Sequence, residues 1–188
     1  MSESFPRPSR SLTTLTAIVS GAGAAGDGIG NGRASAILLA EAGANVVCVD
    51  RDLSLAQKTA SMIATDGHSA AIAVQADATN ESDAQNVVAK ALEAYGRVDV
   101  LVNVVGVGGA EGTAETVDLG EWARGMEVNV ASVVVMSKYC LPVMARNALG
   151  EGRQWRGSVV NIASVAGIRG GTPHLLYPTS KGAIVVSF

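Results

Sequence analysis

The chain has few of the residues that would direct it to a nucleic acid or a membrane. Its 188 residues have a net charge of −3, and the charged residues, 16% of the total, form no basic run that could neutralise a phosphate backbone. We therefore expect no nucleic-acid partner. The N-terminal segment is polar, without the apolar core of a signal peptide, and no later apolar window is expected to reach the length of a membrane span. We expect no membrane partner.

Cysteine and histidine are equally scarce. Cys48 and Cys140 lie in separate apolar contexts without the spacing of a metal site or a redox dithiol, so buried thiols are expected. Unpaired thiols fit a reducing compartment, and we expect a cytoplasmic protein. His68 and His174 are far apart in the sequence, so no metal site is predicted. His174 is expected in the loop before Tyr177 or at the mouth of a substrate site.

Apolar residues make up 48% of the chain, which is enough for the core of one domain. Short apolar runs bounded by glycine or aspartate alternate with segments of helical periodicity, and this alternation predicts βαβ units. The predicted fold class is α/β, a doubly wound parallel sheet with helices on both faces. Residues 1–11 are expected to be a disordered tail, and residues 12–188 a single domain.

The predicted strands are rich in valine and isoleucine and polar only at their ends, as strands covered on both faces are. They are Leu15–Ser20, Asn45–Asp50, Ala70–Gln75, Asp99–Asn103 and Ser158–Ala163. The predicted helices are Gly30–Ala42, Leu53–Thr65, Glu81–Tyr95 and Asp118–Arg146. Pro142 lies inside the last of these, so a kink or an early end is expected there. Residues 147–157 are expected to form an exposed loop.

A glycine-rich segment, Ser20-GAGAAGDGIG-Asn31, follows the first predicted strand. Glycine lets the backbone approach a pyrophosphate closely, and the N-terminus of the following helix offers free N–H groups and the positive end of a dipole. A glycine-rich turn also simply links strands to helices, so this segment alone does not establish a nucleotide site. The expected cofactor-binding residues in it are Gly21, Gly23, Gly28, Ile29 and Gly30.

Asp50 ends the second predicted strand twenty residues after Gly30, where a carboxylate can accept hydrogen bonds from adenosine ribose hydroxyls. An ordinary strand-ending aspartate in a turn is the alternative. The carboxylate would repel a 2′-phosphate, because like charges about 4 Å apart cost roughly 4 kcal/mol at an effective dielectric near ~20. NAD is therefore the expected cofactor. NADP stays open, because the Arg51 guanidinium could pair with that phosphate. Asp77 is a further candidate for the adenine pocket.

A second group of residues lies near the C-terminus, in NIASVAGIRGGTPHLLYPTSK. Twelve residues separate Ser164 from Tyr177, and Lys181 follows four positions later, on the same face of a predicted helix. A phenol with a pKa near ~10 is a poor base at neutral pH, and a neighbouring ammonium lowers that pKa by stabilising the phenolate. Singly, these residues could be a buried aromatic, a solvated lysine and a strand-end cap. Together they indicate a carbonyl/alcohol redox site.

These features resemble the short-chain dehydrogenase/reductase family over roughly residues 12–188. The resemblance rests on the glycine turn, Asp50, the segment Asn103–Gly106, Asn129, Ser164 and YPTSK. It implies a Rossmann-type NAD(P)-binding domain that transfers a hydride between a nicotinamide cofactor and an alcohol or ketone group of a small substrate. A homo-oligomer is also implied, since the family commonly forms dimers or tetramers.

The resemblance also implies roles for individual residues. Tyr177 is expected to be the acid or base, Lys181 to tune it and to hold the nicotinamide ribose, and Ser164 to orient the substrate oxygen. Asn129 is expected to anchor a water that links Lys181 to solvent, with simple helix-face polarity as the alternative. Asn103 at the end of the fourth strand, Gly106 after it, and Tyr177 together with Lys181 are further expected cofactor contacts.

The chain departs from the family in three places. It has Asn103-Val104-Val105-Gly106 where many members have Asn-Asn-Ala-Gly, and its glycine turn is a few residues longer, with Asp27 adding a negative charge. Members normally continue past the Tyr-Lys helix, so we expect a truncated chain that lacks the last strands and exposes a sheet edge. A truncated, non-catalytic dinucleotide-binding module, or a dimerisation partner of a full-length relative, is therefore the alternative function, and a scaffold without a ligand is a third.

Overall fold

The computed structural model describes residues 10–26, 28–67, 70–149 and 153–187. A parallel sheet of five strands, in the order β3-β2-β1-β4-β5, forms its centre. The strands are β1 Thr16–Ser20, β2 Asn45–Asp50, β3 Ala71–Gln75, β4 Val100–Asn103 and β5 Ser158–Asn161. The helices are α1 Asn31–Glu41, α2 Leu53–Thr65, α3 Glu81–Tyr95, α4 Leu119–Met126, α5 Ser132–Met144 and α6 Leu176–Val186. The predicted α/β fold class is confirmed.

Alternating strand residues fill two separate apolar cores, one on each face of the sheet. On one face Ile18 and Val47 are buried in the cluster that contains residues of α3 and α5. On the other face Val19, Val46 and Cys48 are buried with residues of α1 and α2. Because both faces are covered, the strands are apolar throughout rather than alternating with polar residues.

The direction in which strands are added to the sheet reverses at β1. β1 pairs in parallel with β2 on one side and with β4 on the other. Ser20, at the end of β1, is paired with Val49 of β2 and with Asn103 of β4. The connections that leave β1 and β4 run to opposite faces, and a crevice opens between them, the usual ligand position in such sheets.

The opposite end of the sheet is held by a buried carboxylate. Asp99, with 0% of its surface exposed, accepts hydrogen bonds from the backbone N–H of Thr16 at 3.0 Å and from Arg97 Nε at 2.7 Å. Arg153 Nη2 donates to its other oxygen at 2.9 Å. Burial alone would raise the pKa of Asp99, but the bonds from Arg97, Thr16 and Arg153 lower it below the ordinary value. This network ties β1, β4 and the segment before β5 together.

The predicted helix Asp118–Arg146 is interrupted by a π-helical turn, Glu127–Ala131, between α4 and α5. α5 contains Pro142 and ends at Met144, two residues before the predicted end at Arg146, which agrees with the expected early end. The combined run Leu119–Met144 is, by length and composition alone, apolar enough to cross a membrane, which corrects the expectation that no window would be. Such a run is weak evidence of a span, because core helices also pass this test.

One edge of the sheet is exposed at β5, as expected. Val160 of β5 is 45% exposed, and Val186 at the end of α6 is 83% exposed. Of the expected N-terminal tail, residues 1–9 lie outside the described residues, as do residues 150–152 of the expected loop.

Candidate active site

A cleft of about 450 Å³ lies at the carboxyl ends of β1, β2, β3 and β4. It spans the point where the strand order reverses, so the segments after four strands contribute to one site. The residues of this cleft that the sequence predicts as cofactor ligands are Gly21, Gly23, Asp50, Arg51, Asp77 and Gly106. Val104 and Val105, the bulky residues in the departure from the family pattern, also line it.

The glycine-rich loop is held tightly against β2, β4 and α1. The N–H groups of Gly21 and Ala22 both donate to the carbonyl oxygen of Val49, at 2.9 and 2.8 Å. Gly21 has φ +82°, which favours glycine, and a Cβ there would lie 3.0 Å from the nitrogen of Val105. A Cβ on Gly32, in the first turn of α1, would overlap the carbonyl oxygen of Gly21. The loop therefore lies directly on the helix N-terminus.

Asp50 is bonded to the glycine-rich loop. Its Oδ2 accepts a hydrogen bond from the N–H of Gly23 at 3.0 Å, and its Oδ1 accepts one from the N–H of Asp52 at 3.1 Å. A Cβ on Gly23 would lie 2.5 Å from Asp50 Oδ2, so only glycine allows this approach. Because a carboxylate has about four acceptor positions, two remain for a ligand in the cleft.

Six predicted cofactor residues do not line the cleft: Gly28, Ile29, Gly30, Asn103, Tyr177 and Lys181. Gly28 directs its carbonyl oxygen to Arg33 Nη1 at 2.6 Å, and Ile29 is 57% exposed. Gly30 is the N-cap residue of α1 and accepts the N–H of Ala34 at 2.9 Å. The Nδ2 of Asn103, a buried residue, donates to the side chain of Asn161 at 2.9 Å. Asp27 and His68 lie outside the described residues.

Lys181 and Tyr177 lie together on α6. Lys181 Nζ is 5.9 Å from the centre of the Tyr177 ring and donates a hydrogen bond to the carbonyl oxygen of Ile162 at 2.8 Å. The lysine is only 3% exposed, and this burial lowers its pKa below the ordinary 10.5. A Cβ on Gly106 would lie 3.2 Å from Nζ. The ammonium thus reaches the β4 end of the cleft, and the two predicted groups of residues meet there.

Ser164 caps a 3₁₀ turn, Val165–Gly167, that packs on α6. Its Oγ accepts the N–H of Ala166 at 3.1 Å, so the hydroxyl hydrogen remains free to be donated. A Cβ on Gly167 would lie 2.5 Å from the carbonyl carbon of Lys181. The turn carrying the serine is therefore in close contact with the helix that carries Tyr177 and Lys181.

Asn129 lies in the π-helical turn and holds the segment after β4. Its Oδ1 accepts the N–H of Val107 at 2.8 Å, while Nδ2 donates to the carbonyl oxygen of Val107 and to Ser180 Oγ, each at 2.9 Å. A Cβ on Gly106 would lie 3.6 Å from Asn129 Oδ1 and 3.2 Å from Lys181 Nζ. The amide oxygen and the ammonium therefore lie on the same side of Gly106.

A second cavity, of about 320 Å³, lies beside Tyr177. Two loops form it, and the His174 side chain joins them: Gly112 N–H donates to Nδ1 at 3.0 Å. In the neutral imidazole this bond leaves the hydrogen on Nε2. The residues that line the cavity are Gly108, Gly109, Glu111, Thr172, His174 and Tyr177. The cavity thus offers a carboxylate and an imidazole close to the phenol.

Sequence reasoning did not identify Arg33 and Thr59. Both are fully buried and contact the glycine-rich loop from behind. The sequence contains no signal that shows whether an arginine in the first turn of a helix points into the protein or to solvent. Within the part of the chain that the structure describes, no three histidine, cysteine, aspartate or glutamate side chains are grouped as metal ligands would be.

Known proteins are similar to this chain over most of its length. A sequence model of the short chain dehydrogenase family matches residues 16–187. The chain is 34% identical, over 85% of its length, to 2-(S)-hydroxypropyl-CoM dehydrogenase 3 of Xanthobacter autotrophicus, and covers 59% of that protein. It is 37% identical, over 77% of its length, to a protein of the same organism named inactive 2-(S)-hydroxypropyl-CoM dehydrogenase 2, of which it covers 57%.

A solved structure is also similar. The structure of 7α-hydroxysteroid dehydrogenase in complex with NADH and 7-oxo glycochenodeoxycholic acid matches with a TM-score of 0.80 and 31% identity. The match covers 93% of this chain and 63% of that one. The chain therefore spans less than two thirds of the length of each of these relatives.

Proposed function

This chain belongs to the short-chain dehydrogenase family, and we propose that it is an oxidoreductase that transfers a hydride between a nicotinamide cofactor and an alcohol or ketone group. One observation supports the proposal most strongly: the expected nucleotide cleft lies next to the expected catalytic residues. The cleft beside Asp50 extends to Gly106, and Lys181 Nζ lies close to both Gly106 and Tyr177. We propose that residues 12–188 act as one NAD(P)-binding unit.

The cleft fits a dinucleotide in the order of its lining residues. Asp50 and Asp77 would hold the adenosine end, Gly21 and Gly23 the pyrophosphate, and Gly106 the nicotinamide end. A carboxylate with free acceptor positions suits ribose hydroxyls, and a loop without side chains allows the close approach that a pyrophosphate needs. Gly28, Ile29, Gly30 and Asn103 would support this site from outside the cleft lining. When bound, the cofactor supplies or accepts the hydride.

NAD is the proposed cofactor, with NADP as the alternative. The Asp50 carboxylate lies in the cleft and is bonded to the loop, so it cannot turn away without losing the bond from Gly23. It would oppose a 2′-phosphate by roughly 1–2 kcal/mol, below the ~4 kcal/mol of an unscreened pair at an effective dielectric of about 20, because Asp50 is partly exposed and salt screens its charge. Arg51 also lines the cleft and is the residue that would favour NADP.

The proton chemistry would be performed by three side chains. Tyr177 gives its phenolic proton to the substrate oxygen in reduction and takes it back in oxidation. The Lys181 ammonium, 5.9 Å from the ring centre, would place a positive charge beside the phenol and hold the nicotinamide ribose. Ser164, whose hydroxyl hydrogen is free, donates to the substrate oxygen and fixes its position. Asn129 would hold the segment at Gly106 and anchor the water that connects Lys181 to solvent.

The cavity beside Tyr177 suggests the substrate class. Glu111 accepts hydrogen bonds from hydroxyl groups and opposes a carboxylate or a phosphate, and His174 Nε2–H offers a donor. An uncharged small alcohol or ketone with a further hydroxyl group would therefore be preferred.

Turnover with a matched pair of tyrosine variants tests the proposal. Tyr177→Phe should keep NADH binding within about twofold of the wild-type chain and lower kcat by about 10³-fold, because only the acid or base is removed. Tyr139→Phe is the control, because the Tyr139 hydroxyl bonds Glu81 and Tyr139 lines neither cavity; this variant should retain both NADH binding and kcat. Equal activity of the Tyr177→Phe variant would contradict the assigned role.

A non-catalytic dinucleotide-binding module is the second candidate function. A similar protein, 37% identical, is named inactive, and this chain covers only part of its active relatives. NADH binding by the wild-type chain without turnover of any neutral hydroxyketone would favour this alternative. We also propose a cytoplasmic protein, from its unpaired thiols, and a homo-oligomer, from Leu119 and Val134 on α4 and α5, which are 75% and 48% exposed.

A further inference from the structure

A buried arginine lies directly behind the glycine-rich loop. Arg33, in the first turn of α1, has 0% of its surface exposed. Such burial is rare for arginine, because a charge taken out of water is costly unless it is paired and hydrogen-bonded. Among the described residues no carboxylate forms an ion pair with it. The charge is therefore balanced by something other than a neighbouring acid in that part of the chain.

Two hydrogen bonds fix the guanidinium. Arg33 Nη1 donates to the carbonyl oxygen of Gly28 at 2.6 Å, and Nε donates to Thr59 Oγ1 at 3.1 Å. Thr59 then donates its hydroxyl hydrogen to the carbonyl oxygen of Ala22 at 2.8 Å. Arg33 thus connects two distant points of the loop, residues 22 and 28, to α1 and α2. Both carbonyl groups are drawn away from the cleft.

The remaining nitrogen, Nη2, is buried and has no hydrogen-bond partner among the groups that the structure describes. The positive end of the α1 dipole lies at the same helical turn, so two positive potentials are held together. This arrangement is unfavourable in the protein alone. It becomes favourable when an anion lies on the loop, because a pyrophosphate carries two negative charges that both potentials attract.

We infer that Arg33 is a positioning residue for the pyrophosphate of the cofactor, an inference that rests on the proposed dinucleotide site. Arg33 does not itself line the cleft, so it acts through the loop and through its charge. Its bonds hold the carbonyl groups of Ala22 and Gly28, so that these acceptors do not oppose an anion, and the N–H groups of the first turn of α1 remain for the pyrophosphate. Its positive charge adds to the attraction of the helix N-terminus.

Competition binding separates this role from a general structural one. Adenosine and ADP share the adenosine end, and only ADP carries the pyrophosphate, so both are titrated against NADH fluorescence. Arg33→Gln keeps a hydrogen-bond donor and removes the charge, and should weaken ADP and NADH about tenfold while adenosine changes less than about twofold. Arg33→Lys keeps the charge, so its affinity for ADP and NADH should fall less than that of Arg33→Gln. Arg146→Met, an exposed charge deletion beyond the end of α5, is the control.

The outcomes are distinct. An equal loss for adenosine and ADP, or wild-type affinity of Arg33→Gln for ADP, would overturn the role of Arg33. Where Arg33→Gln does not fold, Thr59→Val removes the bond to Ala22 without changing charge, and it should weaken ADP about threefold and adenosine hardly at all. An unchanged ADP affinity in Thr59→Val would then overturn the inference. A folded wild-type chain that binds neither NADH nor ADP would instead refute the proposed dinucleotide site, and with it the role of Arg33.

Discussion

Replacing Gly32 by alanine has two opposing effects on stability: a gain in helix propensity in α1 and a steric overlap with the glycine-rich loop. Alanine in a helix is favoured over glycine by about 1 kcal/mol. At Gly32, however, the added Cβ would overlap the carbonyl oxygen of Gly21 and lie 2.8 Å from its carbonyl carbon and 3.2 Å from the Cα of Ala22. These are backbone atoms that hydrogen bonds to Val49 fix in place, so they cannot move cheaply. Overpacking of this kind costs about 1–3 kcal/mol, and more against rigid backbone.

We therefore expect a net loss of about 2 kcal/mol in the free energy of unfolding for Gly32→Ala. For a chain of this size the corresponding fall in Tm is roughly 4–8 °C. The matched control is Gly120→Ala, also at the second residue of a helix, where the nearest atoms are the ends of exposed side chains at 3.2 and 3.5 Å. It should be neutral or stabilising by up to about 1 kcal/mol.

Thermal unfolding followed by circular dichroism measures both variants, and NADH fluorescence measures the consequence for the loop. Gly32→Ala should also lose most of its NADH affinity, because the loop is displaced from the helix N-terminus, whereas Gly120→Ala should bind as the wild-type chain does. A Gly32→Ala protein that melts at or above the wild-type temperature would refute the close packing of the loop on α1.

Three further results are expected. Asp99→Asn should lower the free energy of unfolding in urea by about 3 kcal/mol. The pKa of Asp99 is lower in the folded than in the unfolded chain, so its ionised form stabilises the fold at pH values above the unfolded-state pKa, and this stabilisation is lost as the pH falls through the folded-state pKa. The variant should therefore show a weaker loss of stability at acid pH than the wild-type chain. Burial raises the pKa of Cys48 and Cys140 to about 12, so thiol labelling at about pH 8 should require unfolding, and stability should fall above about pH 9. Glu111→Gln should raise kcat/KM for carboxylate-bearing ketones about tenfold relative to neutral ones.

The elements of this fold are predictable because each strand contains a short apolar run, and β1, β2 and β4 are buried on both faces. All five predicted strands agree with the structure to within two residues, and helices Leu53–Thr65 and Glu81–Tyr95 have the predicted limits. The π-helical turn at Glu127–Ala131 is not predictable in this way. It depends on a shift in backbone pairing that leaves the apolar pattern of the helix unchanged.

That Tyr177 and Lys181 lie together on one helix was predictable, because residues four positions apart share a helix face. The direction of a side chain that packing decides was not predictable. The bond from Asn103 Nδ2 to Asn161 is one example, and the prediction that Asn103 contacts the cofactor stays a prediction. Arg33 lies in a first helical turn, where an exposed position is the usual expectation, and only the fold shows that it is buried.

The binding of a nicotinamide dinucleotide in the cleft beside Asp50 is the central claim, and a fluorescence titration with NADH and NADPH tests it most directly. Saturable NADH binding, about tenfold tighter than NADPH binding and lost in Asp50→Ala, is the predicted result. A folded wild-type chain that binds neither nucleotide, or an Asp50→Ala variant that binds NADH as the wild-type chain does, would contradict it.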